Sequence, residues 1–287
     1  MIYRLKFTKM QAYGNDYVYM DAIHQEIPAP EKLAVKIADR HFGIGSDGLV
    51  LICPSDSCDF KMRIFNPDGT EAEMCGNAVR STAKFVYFHH LTQKEQLTIE
   101  TLGGIKHLQL DVREGEVVNI RANIGKPEFQ ADKIPVLTEG DTFIDRQLQV
   151  GDRVFRASSL SWGNPHTVLL AEDVSALDVA KYGNLTEHLE CFPRRTNVTF
   201  AQIIDKEHIF IREWERGTGE TIGCGTGCCS AVVVGNLLGL CGRKAVVRQI
   251  GGDLDVEWDE EGVVHMTGPS HVVYQGEYLY EVEGITC

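Results

Sequence analysis

Apolar and polar positions alternate along most of this chain, and the alternation breaks at two places where a cysteine opens an apolar run. Phe60-Lys-Met-Arg63-Ile-Phe65 and Ile209-Phe-Ile-Arg212-Glu-Trp214 each read as a strand with two unlike faces. Each runs through a turn to a cysteine-glycine pair, Cys75-Gly76 and Cys224-Gly225, with a glutamate four residues before the cysteine. The main helical stretches follow, over about 78–89 and 228–240. In the second, Ala231, Val232, Val233, Val234, Leu237 and Leu238 cover every side of a helical wheel, which predicts a helix enclosed by a curled sheet. Two further helices are expected, over 31–41 and 174–189. Most of the rest alternates as antiparallel strand does, which argues against a doubly wound sheet.

The pattern repeats. Cys75 and Cys224 are 149 residues apart, and so are Gly14-Asn15 and Gly163-Asn164. Gly103-Gly104 recurs as Gly251-Gly252 at a spacing of 148. Landmarks that keep their order and spacing are the signature of duplication. The expected fold class is therefore α/β in the α+β sense: two pseudo-symmetric domains, each a curved, mainly antiparallel sheet wrapped around a central helix. Pro127 and the charged stretch 130–146 are expected to mark the joint. The two halves then comprise residues 1–126 with 272–287, carrying Cys75, and 127–271, carrying Cys224.

Composition narrows the class. The chain has 287 residues, 43% apolar and 24% charged, enough for two ordinary cores. Its formal net charge of −13 speaks against a nucleic-acid partner, which would favour a basic face. From 221 to 242 no residue is charged, but six glycines and several polar side chains make a buried helix a better reading than a membrane span. Nine cysteines is an odd count in a chain too long for a disulfide-stapled miniature, and the first residues lack the features of a signal peptide. A reducing cytoplasm with free thiols is the expectation. Oligomeric state stays open, a homodimer among the options.

The two cysteines carry the candidate chemistry. A thiol at a helix start lies where the macrodipole and free N–H groups favour an anion, so its pKa is expected to fall and the thiolate to serve as a base. The same N–H groups can hold a carboxylate. Two such sites suggest a small-molecule substrate gripped between paired thiols. Other motifs lead nowhere. Gly43-Ile-Gly45-Ser-Asp-Gly48 fits a dinucleotide pattern, but a helix precedes it and a strand follows, the reverse of what that site needs. Cys224, Cys228, Cys229 and Cys241 cluster without metal-ligand spacing, so no metal is expected. Among ten histidines only His166, just after the repeated Gly163-Asn164 turn, stands out.

At this point several short words, in order along nearly the whole chain, resemble those of the diaminopimelate epimerases. They include Lys9-Met10-Gln11-Ala12-Tyr13-Gly14-Asn15-Asp16, Phe65-Asn66-Pro67-Asp68-Gly69, Glu73-Met74-Cys75-Gly76-Asn77, Gly163-Asn164-Pro165-His166, Trp214-Glu215-Arg216-Gly217 and Cys224-Gly225-Thr226-Gly227. The resemblance implies a racemase that works without pyridoxal phosphate or any other cofactor, inverting one α-carbon of LL-2,6-diaminopimelate to give the meso form used for lysine and peptidoglycan. It implies that the last strand returns to the first domain. Cys75 and Cys224 would exchange the roles of base and acid, and His166 and Glu215 would help set their protonation. Backbone N–H groups of Gly76, Asn77, Gly225 and Thr226 would hold the reacting carboxylate. Arg216 would pair with the distal carboxylate and Glu215 with the distal ammonium, while Asn15, Asn66, Asn164 and Asn197 complete the polar pocket. This chain departs from many relatives at Gly48, where glutamine is common, and at Gln11, Thr196 and Gly223. Those departures leave room for a two-cysteine racemase of another amino acid, such as histidine or proline. A zinc-stabilised or catalytically silent binding protein of the same fold is the non-enzymatic alternative.

Overall fold

The computed structural model describes residues 1–282. It divides into two compact units, Met1–Ala122 with the segment that begins at Pro269, and Asn123–Gly268.

In the first unit the chain forms β1 (Ile2–Ala12), β2 (Asn15–Asp21), α1 (Pro30–Ala38), β3 (Leu49–Cys53), β4 (Phe60–Phe65), β5 (Glu71–Ala72), α2 (Gly76–Phe88), β6 (Gln96–Thr101), β7 (Gly104–Arg113) and β8 (Glu116–Gly125), the last crossing into the second unit. The chain's last strand, β18 (His271–Glu281), pairs antiparallel with β1 from Ile2 opposite Glu281 to Gln11 opposite His271. The order across the sheet is β18-β1-β2-β3-β4-β6-β7-β8, with β5 a short hairpin partner of β4. Only β2–β3 and β4–β6 are parallel. A parallel step needs a crossover, and these two crossovers contain α1 and α2.

The second unit repeats this plan: β9 (Arg146–Val150), β10 (Arg153–Ser161), β11 (Pro165–Leu170), α3 (Val179–Glu187), β12 (Asn197–Ile203), β13 (His208–Glu215), β14 (Gly219–Thr221), α4 (Gly225–Leu237), β15 (Lys244–Gln249), β16 (Gly252–Trp258) and β17 (Val264–Gly268). Its order is β9-β10-β11-β12-β13-β15-β16-β17, with parallel steps again at the third and fifth pairings, β11–β12 and β13–β15. The duplication inferred from spacing is thus a duplication of topology. Four helices lie among the described residues, at the four expected places, with α3 starting five residues later than the apolar pattern proposes.

Each sheet curls around its second helix. Helix α4 packs against β11, β12, β13, β15, β16 and β17, and its residues from Gly227 to Gly235 are all buried. Helix α2 packs against β1, β2, β3, β4 and β7. A helix so enclosed gains nothing from a polar stripe, which is why 221–242 carries no charge. Among the described residues no helix is long and apolar enough to cross a membrane.

The stretch 130–146, expected at the joint, falls within the second unit, which begins at Asn123. Ala131, Ile134, Val136 and Phe143 are buried with Phe155, Tyr182 and Phe200 in the second unit's core, on the α3 side of the sheet.

Gly48, singled out in the sequence, has a backbone reason. Its φ is +149°, and a Cβ there would lie 2.1 Å from the Phe65 carbonyl oxygen. Gly48→Gln is expected to destabilise the protein by about 1–3 kcal/mol, a strained-backbone cost that urea unfolding would register. An unchanged unfolding midpoint would contradict this account.

Candidate functional site

Both cysteines stand one residue before a central helix. Cys75 has φ −136° and ψ 125° at the start of α2, and Cys224 has φ −129° and ψ 108° at the start of α4. Neither side chain makes a capping hydrogen bond to its helix. Behind each cysteine the strand and its hairpin are clamped in the same way. Arg63 pairs with both oxygens of Glu71 at 2.8 and 2.9 Å, and Arg212 reaches one oxygen of Glu220 from two nitrogens, at 2.8 and 2.7 Å. These are the glutamates four residues before each cysteine.

In the first unit Cys75 Sγ donates to Asn15 Oδ1 at 3.4 Å, and Asn77 Nδ2 donates to the same oxygen at 3.4 Å. Asn15 is held in turn by Asp47, whose Oδ2 accepts from its amide at 2.9 Å and from the Asp16 N–H at 3.0 Å. Arg40 bridges Asp16 and Asp47, and buried Lys9 pairs with Asp16. Burial would raise the Asp16 carboxyl, but Arg40 and Lys9 bring it below the usual carboxylate value. Lys9, Asp16, Arg40 and Asp47 therefore build the bracket for Asn15. Asn66 directly follows β4, and its amide donates to Thr70 Oγ1 at 3.0 Å.

In the second unit Asn197 joins three pieces of backbone. Its amide donates to the Pro165 carbonyl at 3.0 Å, and its Oδ1 accepts from the Arg216 N–H at 2.9 Å. Arg216 is exposed, with one guanidinium nitrogen 3.1 Å from the Arg194 carbonyl. Its turn is fixed from below by Glu187, which accepts from Trp214 Nε1 at 2.7 Å and from the Gly217 N–H at 3.0 Å. Glu215 accepts from Thr221 Oγ1 at 2.7 Å. Asn164 lies in the turn before β11, the counterpart of Asn15 at the start of β2.

Cys224 is only 8% exposed. Its N–H donates to Gln249 Oε1 at 2.9 Å, and its sulfur lies 3.5 Å from Thr226 Oγ1. The expectation of a lowered thiol pKa is overturned here. Burial first, then the charge of Glu215 and, whenever it is ionised, of Glu213, hold this thiol well above its ordinary value, and Thr226 and the Gly227 N–H oppose them without prevailing. The helix start does favour a thiolate, but a partial charge at its end is outweighed by burial and by the charge of Glu215 on the neighbouring strand.

Glu213 was not among the residues the sequence put forward. It is 2% exposed, on the inward face of β13 with Ile209 and Ile211. A carboxylate at an alternating apolar position was the available signal. His166 is wholly buried, with Nδ1 3.7 Å from Glu213 Oε1. Burial, then the charge of Arg216, depress the His166 pKa to about 3, so the ring is neutral. His166 is thus a partner of Glu213 rather than an exposed base.

Among the described residues no group of three His, Cys, Asp or Glu side chains is disposed to hold a metal. A separate cavity of about 720 Å³ in the first unit, lined by Lys6, Tyr19, His24, Phe85 and His89 among others, contains none of the candidate residues.

The chain matches the diaminopimelate epimerase family over residues 7–130 and 158–273. It is 50% identical over 274 residues to the diaminopimelate epimerase of Methanococcus maripaludis, covering 95% of this chain and 99% of that one. It is 46% identical over 285 residues to that of Desulfovibrio desulfuricans, covering 97% and 99%. Among solved structures it resembles a phenazine biosynthesis protein of the PhzF family from Bacillus anthracis, with a TM-score of 0.72, 18% identity and coverage of 97% and 100%. A hydroxyproline epimerase from Agrobacterium vitis matches with a TM-score of 0.70, 14% identity and coverage of 96% and 92%. At those identities the structural likeness speaks for the fold alone.

Proposed function

Because the chain belongs to the diaminopimelate epimerase family, we propose that it is an isomerase that interconverts LL- and meso-2,6-diaminopimelate by a two-base thiol mechanism. The observation that carries this reading is the presence of both cysteines at equivalent helix starts in two units of one topology. An α-proton is weakly acidic, so its removal needs a base at contact distance and stabilisation of the carbanion. One thiolate takes the proton from one face of the α-carbon while the other thiol gives a proton to the opposite face. The N–H groups of Gly76, Asn77, Gly225 and Thr226 are the donors assigned to the reacting carboxylate, where charge grows in the transition state.

The distal amino acid group falls to Arg216 and Glu215, with Asn15, Asn66, Asn164 and Asn197 supplying both donors and acceptors. Asn197 supports this by tying Arg216 to the strand that carries His166. Among the described residues all eight cysteines are free thiols, which fits a reducing cytoplasm and the place of such an enzyme in lysine and peptidoglycan precursor synthesis. The test is incubation of the reduced protein with LL-diaminopimelate in deuterated solvent. Formation of the meso isomer with deuterium at the inverted carbon is expected, and exchange with histidine or proline but not diaminopimelate would reject the substrate assignment.

A further inference from the structure

The two units share a topology but not the lining around their cysteines. With the 149-residue offset, Tyr17, Gly48, Val50 and Ile64 of the first unit correspond to His166, Asn197, Thr199 and Glu213 of the second. The registers agree, since His166 pairs with Asn197 across β11–β12, and Thr199 with Glu213 across β12–β13. The second unit has therefore placed a histidine and a carboxyl where the first has a phenol and an isoleucine. A Cβ on Gly227 would lie 2.4 Å from Glu213 Oε2, so the carboxyl stands directly against the first turn of α4. Cys224 and Glu213 each act on the other's charge, and the Gly227 N–H acts on Cys224. Neither carboxyl oxygen and neither ring nitrogen of His166 has a hydrogen bond of normal geometry. Buried polar atoms in that state are costly unless something about their proton is used.

We infer that Glu213 is a positioning residue for Cys224: with His166 it forms a buried pair that holds one proton and presents a neutral O–H donor to the thiolate that Cys224 becomes. This rests on the reading of Cys224 as one of the two reacting thiols. When Cys224 gives its proton to the carbanion, the new thiolate already faces the charge of Glu215. An ionised Glu213 would add a second repulsion, whereas a protonated one donates to the sulfur. The arrangement uses the principle by which a carboxylic acid in an apolar site stays neutral and donates.

The other groups around the pair do not supply the proton. Glu215 shares the face of β13 and is committed to Thr221. Burial, and after it the charge of Arg216, keeps the His166 ring neutral. Thr199, Thr226 and Gln249 are uncharged, and the Cys228 thiol donates to Gln249 at 3.4 Å. On β15 and β16, Lys244, Arg248, Asp253 and Asp255 lie on the exposed face, and His265 of β17 pairs with Asp259. On β13, His208 is exposed and pairs with Asp205, and Arg212 is held by Glu220. Burial, reinforced by Glu215, raises the Glu213 carboxyl well above its ordinary value of 4.5, which keeps the proton in place near neutrality.

The experiment compares Glu213→Gln, Glu213→Ile and Glu213→Val by the pH dependence of Cys224 alkylation with iodoacetamide, read on its own peptide by mass spectrometry. Glutamine retains a neutral donor, so its alkylation midpoint should match the wild type. Isoleucine, the residue at the equivalent place in the first unit, and valine lack a donor, so their midpoints should rise by about one pH unit. A space-filling role predicts the reverse order, with isoleucine tolerated and glutamine harmful, and that result overturns the proposal. Should the apolar variants not fold, stability of Glu213→Gln against pH decides. Above about 4.5 the unfolded Glu213 loses its proton while the native one keeps it, so wild-type stability falls relative to the variant as pH rises. The ratio of the two unfolding constants should change tenfold per pH unit, and parallel curves would sink the proposal. Loss of the epimerase reading itself would instead appear as full activity in Cys224→Ser.

Discussion

Serine in place of either Cys75 or Cys224 is expected to stop net epimerisation while leaving a one-sided exchange of the α-proton. A serine hydroxyl ionises far less readily than a thiol, whose reference pKa is about 8.5, so the altered position can neither abstract nor return a proton at a useful rate. Removing one positioned acid or base should lower turnover by roughly 10²- to 10⁴-fold. The remaining thiolate can still take a proton from the face it addresses and give it back to that face. Each variant should therefore exchange deuterium into one stereoisomer of diaminopimelate and not the other, with the preference reversed between Cys75→Ser and Cys224→Ser. Nuclear magnetic resonance of the substrate in deuterated buffer reads both results. Exchange into both stereoisomers by a single-cysteine variant would mean that one base serves both faces, and the two-thiol reading would fail.

That expectation rests on features a sequence reader could see. The cysteines, the glycines after them and the uncharged run behind Cys224 are local signals, and a 149-residue spacing is visible without a structure. Hydrophobic alternation identified strands such as Phe60–Phe65, but it carries no direction. The two parallel steps in each sheet become evident only once α1 to α4 are known to be crossovers. In the stretch 130–146 the charges were legible, but not that four apolar side chains among them reach the core. The thiol of Cys224 misled. A helix start is a local property, whereas burial and the charge of Glu215 act on that sulfur through the fold around it. Glu213 was hidden in plain view, at an inward position of an otherwise apolar strand face. Only its pairing across to Thr199 and its nearness to His166 give it meaning.

The distal end of the substrate offers the second large effect. Arg216 projects from a turn whose backbone is already fixed: its own N–H is held by Asn197 at 2.9 Å and that of Gly217 by Glu187 at 3.0 Å. Replacing its side chain should therefore leave the turn intact, which makes Arg216→Lys and Arg216→Ala clean tests. In the proposed reading the guanidinium binds the distal carboxylate through two parallel N–H bonds, and lysine can match the charge but not the fork. Hydrogen bonds to charged groups contribute about 1.5–3 kcal/mol, so kcat/KM for diaminopimelate should fall roughly ten- to a hundredfold in Arg216→Lys and further in Arg216→Ala. Most of the loss should appear in KM, since this contact exists in ground and transition states alike. Glu187 stays engaged with Trp214 at 2.7 Å in either variant, so melting temperatures should not move. A slow reaction with an amino acid that lacks the distal carboxylate should be unaffected. If both substrates lost activity equally, Arg216 would be acting on the reacting centre, by way of the charge it exerts on His166, and not on the distal group.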